Sequence, residues 1–380
     1  MDVHATDELP YHQAPTPFHV AGTSDVHFND GYWFAAFSPT HFLAVGMRLH
    51  PNMNVIDGFA SLATGGEQQA VRLSRPLHAN YARTAVGPLE VAFTEPMRTV
   101  RVSLAESPIG LAFDLVFRCA TEPFLKTPSR HYKSGHLMND VLRYIQVGRA
   151  SGTLTHDGER VDVRDWPFSR DHSWGIRSGM GPRTPHGGRS TDVAGRPDRR
   201  RFRLWVPFVL DGHCGFFHTH EDEHGTTIDV EGRIRLRNGT EVDVVRCEHA
   251  LTHHPGTRYP SGGTITLTDA RGHRRRYTLT PCGTPADVQG FGYHGGWHDG
   301  RSAGTYRGDD LVVEHDRYPS GTRLPPTGPP KVAAERRIGP SEFPCLVRCD
   351  DGPGAGASGM AQLEHSVLGT YRPYGFVGPA

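Results

Sequence analysis

Residues 170–177, near the middle of the chain, read Arg-Asp-His-Ser-Trp-Gly-Ile-Arg. This stretch combines cations, a carboxylate, an imidazole and an indole within sequence that is otherwise typical of β-strands. Ionisable groups at this density are costly to bury unless they pair with one another or take part in chemistry. The stretch is therefore either an ion-paired structural cluster or part of a catalytic site.

The residue types fit acid/base chemistry on a carbon–carbon double bond. Asp171 would donate a proton to carbon, provided that burial keeps its carboxyl group protonated near neutrality. His172 would activate water as the general base. Arg170, Trp174 and Arg177 would bind the ligand, and the indole of Trp174 would stabilise a carbocation by about 0.5–2 kcal/mol. The same groups are compatible with hydration, with dehydration in reverse, and with cyclisation or isomerisation when water is not captured.

Strand geometry limits how these residues can share one site. Successive side chains of a strand point to opposite faces, so His172, Trp174 and Ile176 would share one face. Asp171 and Arg177 would share the other face and pair there, at the junction of two domains. The apolar residues favour the first face as the cavity wall. Geometry thus favours His172 as the catalytic residue and chemistry favours Asp171, and the sequence leaves the choice open.

Four residues outside this stretch are further candidates for the same site. Glu364 is a second possible catalytic carboxylate, and Trp205, Tyr293 and Trp297 are possible ligand-binding aromatic residues. Each has a structural alternative, because glutamates are mostly surface residues and aromatic residues also pack at barrel rims.

His218 and His220 form a competing candidate, a metal site. They would lie on one face of a strand, which is the spacing that metal sites on β-barrels use. The nearest carboxylates, Glu221 and Glu223, fall at the wrong spacing to complete such a motif. Phosphate-binding loops, dinucleotide fingerprints and nucleophile elbows are also missing from the sequence. We therefore expect neither a metal nor another cofactor.

The distribution of glycine and proline predicts an all-β fold. The 380 residues include 45 glycines and 30 prolines, which favours many short elements over long helices. Four hairpins are predicted, pairing 153–156 with 159–163, 202–210 with 213–220, 233–237 with 241–245, and 264–268 with 276–280. Such a series closes most easily into a barrel or a sandwich. A short helix over 137–144 and a boundary near Gly148 would divide the chain into β domains 1–147 and 148–380.

Charge and hydrophobicity narrow the possible partners. Lys+Arg and Asp+Glu both total 41, so the chain has no net field to attract nucleic acid or an anionic membrane. No apolar run approaches the ~18 residues of a membrane helix, and the first residues lack the apolar core of a signal peptide. We expect a cytoplasmic protein that binds a small molecule, and the oligomeric state stays open.

Residues 144–154, together with 170–177, resemble the central region of the AttH-like, carotenoid 1,2-hydratase (hydroxyneurosporene synthase) superfamily, and are most similar to its bacterial branches. The resemblance implies two lipocalin-like β-barrels in tandem, with a ligand cavity in or between them. It also implies an enzyme that acts on a hydrophobic molecule.

The leading hypothesis is a cofactor-independent hydratase, dehydratase or cyclase/isomerase for a terpenoid, polyketide or prenyl-aromatic substrate. One alternative is a non-catalytic protein that binds a lipophilic ligand. The other is a metal-dependent enzyme that uses His218 and His220.

Overall fold

The computed structural model describes six segments of the chain: 15–78, 83–133, 136–182, 200–293, 295–320 and 341–378. Their regular structure is β-strand, apart from 3-10 turns at Pro51–Met53, Val288–Phe291 and Arg372–Tyr374. The all-β prediction is therefore confirmed. None of these segments contains a helix with the length and apolar character needed to span a lipid bilayer.

The first part of the fold is a 13-stranded sheet that curls into a half-barrel. Its strands are β1 (Phe28–Phe37), β2 (His41–His50), β3 (Val55–Thr64), β4 (Glu67–Pro76), β5 (Ala85–Val86), β6 (Leu89–Glu95), β7 (Thr99–Leu104), β8 (Ala112–Cys119), β9 (Phe124–Leu125), β10 (Ser129–Lys133), β11 (His136–His156), β12 (Glu159–Arg177) and the much later β19 (Val312–Pro319). The strand order is β19-β4-β3-β2-β1-β12-β11-β8-β7-β6-β5, and β9 and β10 pair with β11.

The second part is a closed barrel of consecutive antiparallel strands. Its strands are β13 (Phe202–Leu210), β14 (His213–Glu221), β15 (Thr227–Leu236), β16 (Glu241–His253), β17 (Pro260–Asp269), β18 (Arg274–Pro281), β20 (Glu342–Asp351) and β21 (Ser358–Val367). Between β18 and β20 the chain leaves the barrel, adds β19 to the edge of the first sheet, and returns.

All four predicted hairpins are present, as β11–β12, β13–β14, β15–β16 and β17–β18. The β11–β12 turn shows the local cause most clearly. Asp157 and Gly158 have φ of 50° and 77°, in the left-handed region that a two-residue hairpin turn requires at both positions. This turn joins the two longest strands of the molecule, which extend through the region of the polar stretch.

Two predictions about the middle of the chain differ from the structure. The helix predicted over 137–144 is wrong, because these residues belong to β11 and pair with β12 and β10. Gly148, the predicted boundary, lies within β11, and the change from half-barrel to barrel comes between β12 and β13. Residues 183–199 and 321–340 lie outside the described residues.

The half-barrel and the barrel pack together through one face each. Strands β13 and β14 are buried along almost their whole length, whereas β18 alternates between buried and exposed residues. Continuous burial means that both faces of a strand are covered. In β13 and β14 one face fills the barrel and the other meets the half-barrel, where Ile145 packs against Trp205 and Phe216. Ser169 Oγ also donates a hydrogen bond to Gln362 Oε1 across this junction, at 2.6 Å.

Candidate active site

A cleft of about 550 Å³ lies at the junction of the half-barrel and the barrel. The half-barrel contributes the β9–β10 connection and parts of β10, β11 and β12, and the barrel contributes parts of β13, β14, β15 and β21. Cationic residues dominate the lining: Lys126, Arg130, Arg143, Arg177, Arg200, Arg201 and Arg203. Only two lining residues, Asp229 and Glu231, carry carboxylates. Such a cleft carries a positive potential that its low-dielectric walls concentrate.

Lys126 is the buried amine of the cleft, and both sheets hold it in place. Its backbone N–H donates to Arg143 O at 2.8 Å, which fixes the β9–β10 connection to β11. Its Nζ lies 2.9 Å from Glu231 Oε1 and 3.0 Å from His218 Nδ1. An ammonium group has no acceptor lone pair, so His218 Nδ1 accepts this hydrogen bond.

Burial sets the protonation of this group of three residues. It lowers the pKa of Lys126 to about 8, although Glu231 opposes the shift. It also lowers the pKa of His218 to about 3, so the imidazole is neutral. Burial alone would raise the pKa of Glu231, but its contacts with His218 and Lys126 lower it to about 2. The result is an amine that can gain or lose a proton near neutrality, between a neutral imidazole and a fixed carboxylate.

Trp205 supports three of the cleft cations. Lys126 Nζ, Arg143 Cζ and Arg203 Cζ lie 4.9, 5.1 and 5.5 Å from the centre of its ring. Trp205 is 6% exposed, because these cations cover much of its ring. Cation–π contacts of this kind hold long side chains in one orientation.

Each of these three cations also has a carboxylate partner. Lys126 pairs with Glu231, Arg143 Nη1 lies 3.5 Å from Asp171 Oδ2, and Arg203 pairs with Glu364. Asp171 and Glu364, which we predicted to be catalytic, are thus placed as ion-pair partners of cations that line the cleft. Asp171 lies beside a cation, and not in the apolar surroundings that the role of proton donor would need.

Glu342 is a buried acid behind this layer that the sequence analysis did not identify. It faces Glu364 across β20 and β21, and its Oε2 accepts a hydrogen bond from Gln362 Nε2 at 2.8 Å. Burial, together with the charge of Glu364, raises the pKa of Glu342 well above its usual value. Its surroundings therefore favour the protonated form of the carboxyl group. No local motif marks Glu342, because its surroundings come from β21, about twenty residues away.

Arg177 differs from the paired cations of the cleft. None of the described carboxylates forms an ion pair with its guanidinium. Burial, together with the neighbouring positive charges of Arg143 and Arg48, lowers its pKa to about 10, although Tyr293 and Asp171 oppose the shift. Arg177 still carries its charge at neutral pH, next to other cations.

His172, Arg170 and Trp174 lie on the opposite side of β12, inside the half-barrel. His172 Nε2 is 2.6 Å from Asp30 Oδ1, and its ring lies 4.4 Å from Tyr32 and 5.0 Å from Trp174. Arg170 donates to Gln146 Oε1 and to the hydroxyl of Tyr144, both at 3.0 Å. These three candidates form an aromatic and hydrogen-bonded cluster that does not line the cleft.

Tyr293 and Trp297 lie in a third place, where the segment after β18 covers β3 and β4. The ring of Tyr293 packs on Phe59 at 5.9 Å. Trp297 is 1% exposed and lies between Arg307 and Arg72, at 3.9 and 6.0 Å from its ring centre. Neither residue lines the cleft.

His218 and His220 do come together with a carboxylate. Asp229 faces His220 across β14 and β15, and the candidate ligand atoms of the three residues lie within 4.8 Å of one another. By distance, these are the described residues that could hold a metal ion. However, Lys126 donates to His218, and Arg200 Nε lies 3.8 Å from Asp229 Oδ2. These protein cations already neutralise the cluster, so its surroundings do not favour a metal ion.

Comparison with known structures supports the fold. An AttH-like protein of Nitrosomonas europaea superposes with a TM-score of 0.51 and 12% identity, over 94% of this chain and 98% of that one. Kievitone hydratase of Nectria haematococca has a TM-score of 0.47 and 11% identity, over 93% of this chain and 94% of that one. At this identity, the first likeness shows a shared fold alone. Comparison with curated proteins found no match. The model of the family of unknown function DUF8625 matches residues 3–377, and the chain therefore belongs to that family.

Proposed function

We propose that the protein is an enzyme that performs acid/base catalysis on a small organic molecule bound in the junction cleft. The observation that carries this proposal is the position of Lys126. Its amine lies in the wall of a cleft of about 550 Å³, held by His218 and Glu231 at 3.0 and 2.9 Å. A cleft of this volume is large enough for a small ligand.

The reaction class that fits these groups is reversible elimination of water. The neutral amine of Lys126 takes a proton from a carbon next to a carbonyl or carboxylate group, and the electron pair of that C–H bond moves toward the oxygen. As the double bond forms, the C–O bond at the neighbouring carbon breaks, and the ammonium returns its proton to the leaving hydroxide. The products are an alkene and water, and the lysine is again neutral. The reverse sequence hydrates the double bond.

The other residues have supporting roles in this proposal. Glu231 and His218 fix the direction of the Lys126 amine, because they bind it from two sides. Asp171 and Glu364 hold Arg143 and Arg203 in the cleft wall, where the guanidinium groups stabilise negative charge on the substrate oxygen. His172, on the other side of β12, has no role in the chemistry.

The barrel interior is less suited to the alternative of a carrier for lipophilic molecules. A cavity inside the barrel, between Phe208, Phe217 and Leu279, measures about 10 Å³. That is about the space of one water molecule, so a lipophilic ligand does not fit there.

Proton exchange tests the proposal before the substrate is known. The protein is incubated in D₂O with a panel of ketones, hydroxy acids and unsaturated acids, and deuterium in the panel is measured by mass spectrometry. We expect exchange at carbon with at least one compound, and loss of about 10²–10⁴-fold in Lys126→Met. Arg130→Met is the matched control, because Arg130 lines the same cleft but is 63% exposed and paired with Asp140. Equal exchange by Lys126→Met and the wild type would refute the role of Lys126.

A further inference from the structure

We infer that the cleft takes an organic anion and binds its carboxylate or phosphate group between Arg177 and Arg143. This inference rests on the proposed function only in taking the ligand to be the substrate of the same cleft. Its physical basis is the distribution of charge.

The cations that line the cleft differ in whether they have a carboxylate partner. Lys126, Arg143 and Arg203 have carboxylate partners within the junction. Arg130 pairs with Asp140 at the rim, at 2.7 Å. Arg177 forms no ion pair with a described carboxylate, although it is only partly exposed to water. A guanidinium in this position is costly unless an anion compensates it.

A row of cations reinforces the positive charge beside Arg177. Arg48, Gly31, Ser173 and Arg143 face one another in turn across β2, β1, β12 and β11. Because Gly31 has no side chain, Arg48 crosses over it, and Arg48 Nη2 donates to Ser173 Oγ at 3.3 Å. A Cβ at Gly31 would approach Arg48 Cγ to 2.8 Å, so this path requires the glycine.

Arg177 follows Ser173 on the same face of β12, with only Gly175 between them on that face. Three guanidinium groups therefore occupy neighbouring positions in front of one small patch of sheet, with Asp171 as the adjacent carboxylate. Like charges repel one another at this spacing, and a bound anion removes the repulsion. A planar guanidinium fork also matches the oxygen pairs of carboxylate and phosphate groups.

The remainder of the lining fits the organic part of such a ligand. Val141, Phe202 and Leu368 also line the cleft and provide apolar contact. An anionic head at Arg177 and an apolar body against these side chains describe an amphipathic organic acid. Such a ligand would also place the carbon next to its carboxylate within the same cleft as Lys126.

Binding of simple probes tests this inference. Dissociation constants are measured by calorimetry at low salt for benzoate, phenyl phosphate and neutral benzamide. We expect at least one anion to bind about tenfold or more tightly than benzamide, because a hydrogen bond to a charged group contributes about 1.5–3 kcal/mol. Whichever anion binds more tightly identifies the head group. Equal binding of all three probes, or dissociation constants weaker than about 10 mM for both anions, would overturn the inference.

Three variants locate the effect. Arg177→Met is expected to abolish the preference for anions, Arg177→Lys to restore part of it, and Arg130→Met to change it by less than about threefold. A preference retained in Arg177→Met would place the anion elsewhere and overturn the inference. Circular dichroism shows whether each variant is folded. If Arg177→Met does not fold, Arg177→Lys still tests the inference, because it should lower the preference for anions.

Lys126→Met separates this inference from the proposed function. If the inference is right and catalysis by Lys126 is wrong, anion binding is specific to Arg177 while the exchange rate does not change in Lys126→Met. If catalysis by Lys126 is right and the inference is wrong, exchange depends on Lys126 while benzoate, phenyl phosphate and benzamide bind equally.

Discussion

The two sides of β12 offer contrasting surroundings to residues that are neighbours in sequence. Inside the half-barrel, His172 and Trp174 lie among aromatic rings, and His172 has Asp30 as a hydrogen-bond partner. Toward the barrel, Arg143 and Arg177 line the cationic cleft, and Asp171 pairs with Arg143 behind it. The dense polar stretch therefore serves two environments that a single layer of sheet keeps apart. A high density of functional groups along a strand marks an unusual region of the sequence. Because successive side chains of a strand point to opposite faces, those groups are divided between the two faces of the sheet.

Removal of the Asp171 charge, on the cleft side of β12, should give the largest difference in activity between the two sides of the strand. In Asp171→Asn, Arg143 loses its carboxylate partner, so its position and the charge of the cleft both change. We expect kcat/KM for a substrate found in the exchange assay to fall about 10–100-fold. His172→Gln, one residue away, should alter kcat/KM by less than about threefold. A larger effect of His172→Gln than of Asp171→Asn would reverse the assignment of the two sides.

The free energy of unfolding should depend on the other side of β12, inside the half-barrel. His172→Ala removes a ring that contacts Tyr32, Tyr144 and Trp174, and it leaves Asp30 without its hydrogen-bond partner. The expected loss in the free energy of unfolding is about 1–3 kcal/mol, measured by urea denaturation. Anion binding in the cleft should be unchanged at equal folded fraction. Unaltered stability of His172→Ala would show that the inner cluster is not structural.

The pH dependence of stability should report the buried acid behind the cleft. The pKa of Glu342 is raised in the folded protein, so its contribution is fully present below the unfolded value of 4.5 and is lost as pH rises above it. Glu342→Gln, which is neutral at every pH, should remove this loss. We therefore expect the free energy of unfolding of Glu342→Gln to rise relative to that of the wild type as the pH increases above 4.5. Parallel stability curves for the two proteins would contradict the assignment.

Removal of metal should give the smallest effect. The hydrogen bond from Lys126 to His218 and the contact of Arg200 with Asp229 already supply positive charge where an ion would lie. Treatment with a chelator followed by dialysis should leave proton exchange within about twofold of its original value. Loss of exchange that one equivalent of a divalent metal restores would instead favour the metal-dependent alternative for His218 and His220.

The fold could be predicted from the sequence where neighbouring residues determine the backbone conformation. Asp157 and Gly158 mark the β11–β12 turn because few other residue pairs adopt their backbone angles. Strand β4 has no clear signal in the sequence, because one set of its alternate residues, including Gln68, Arg72 and Ser74, is polar and yet buried under the segment after β18. The helix predicted over 137–144 is wrong because these residues pair with β10 and β12, strands that lie elsewhere in the chain.

The site was less accessible to sequence analysis because its parts are distant in the chain. Lys126 and His218 are separated by 92 positions and belong to no shared motif. Arg177 and Trp205 were identified as candidates and do line the cleft. Arg143 and Arg203 resemble many surface arginines until the two sheets are placed together. Only the packing of β11 and β12 against β13 and β14 distinguishes them.

The late position of β19 has a consequence for synthesis on the ribosome. Strand β4 has its outer edge unpaired until residues 312–319 have been translated, because β19 pairs with it along its length. By then six of the eight barrel strands have emerged, yet the barrel cannot close before β20 and β21 follow. Neither half can therefore complete its hydrogen bonding before the other is largely made. A nascent chain that stalls before residue 312 would present an open strand edge, a template for aggregation.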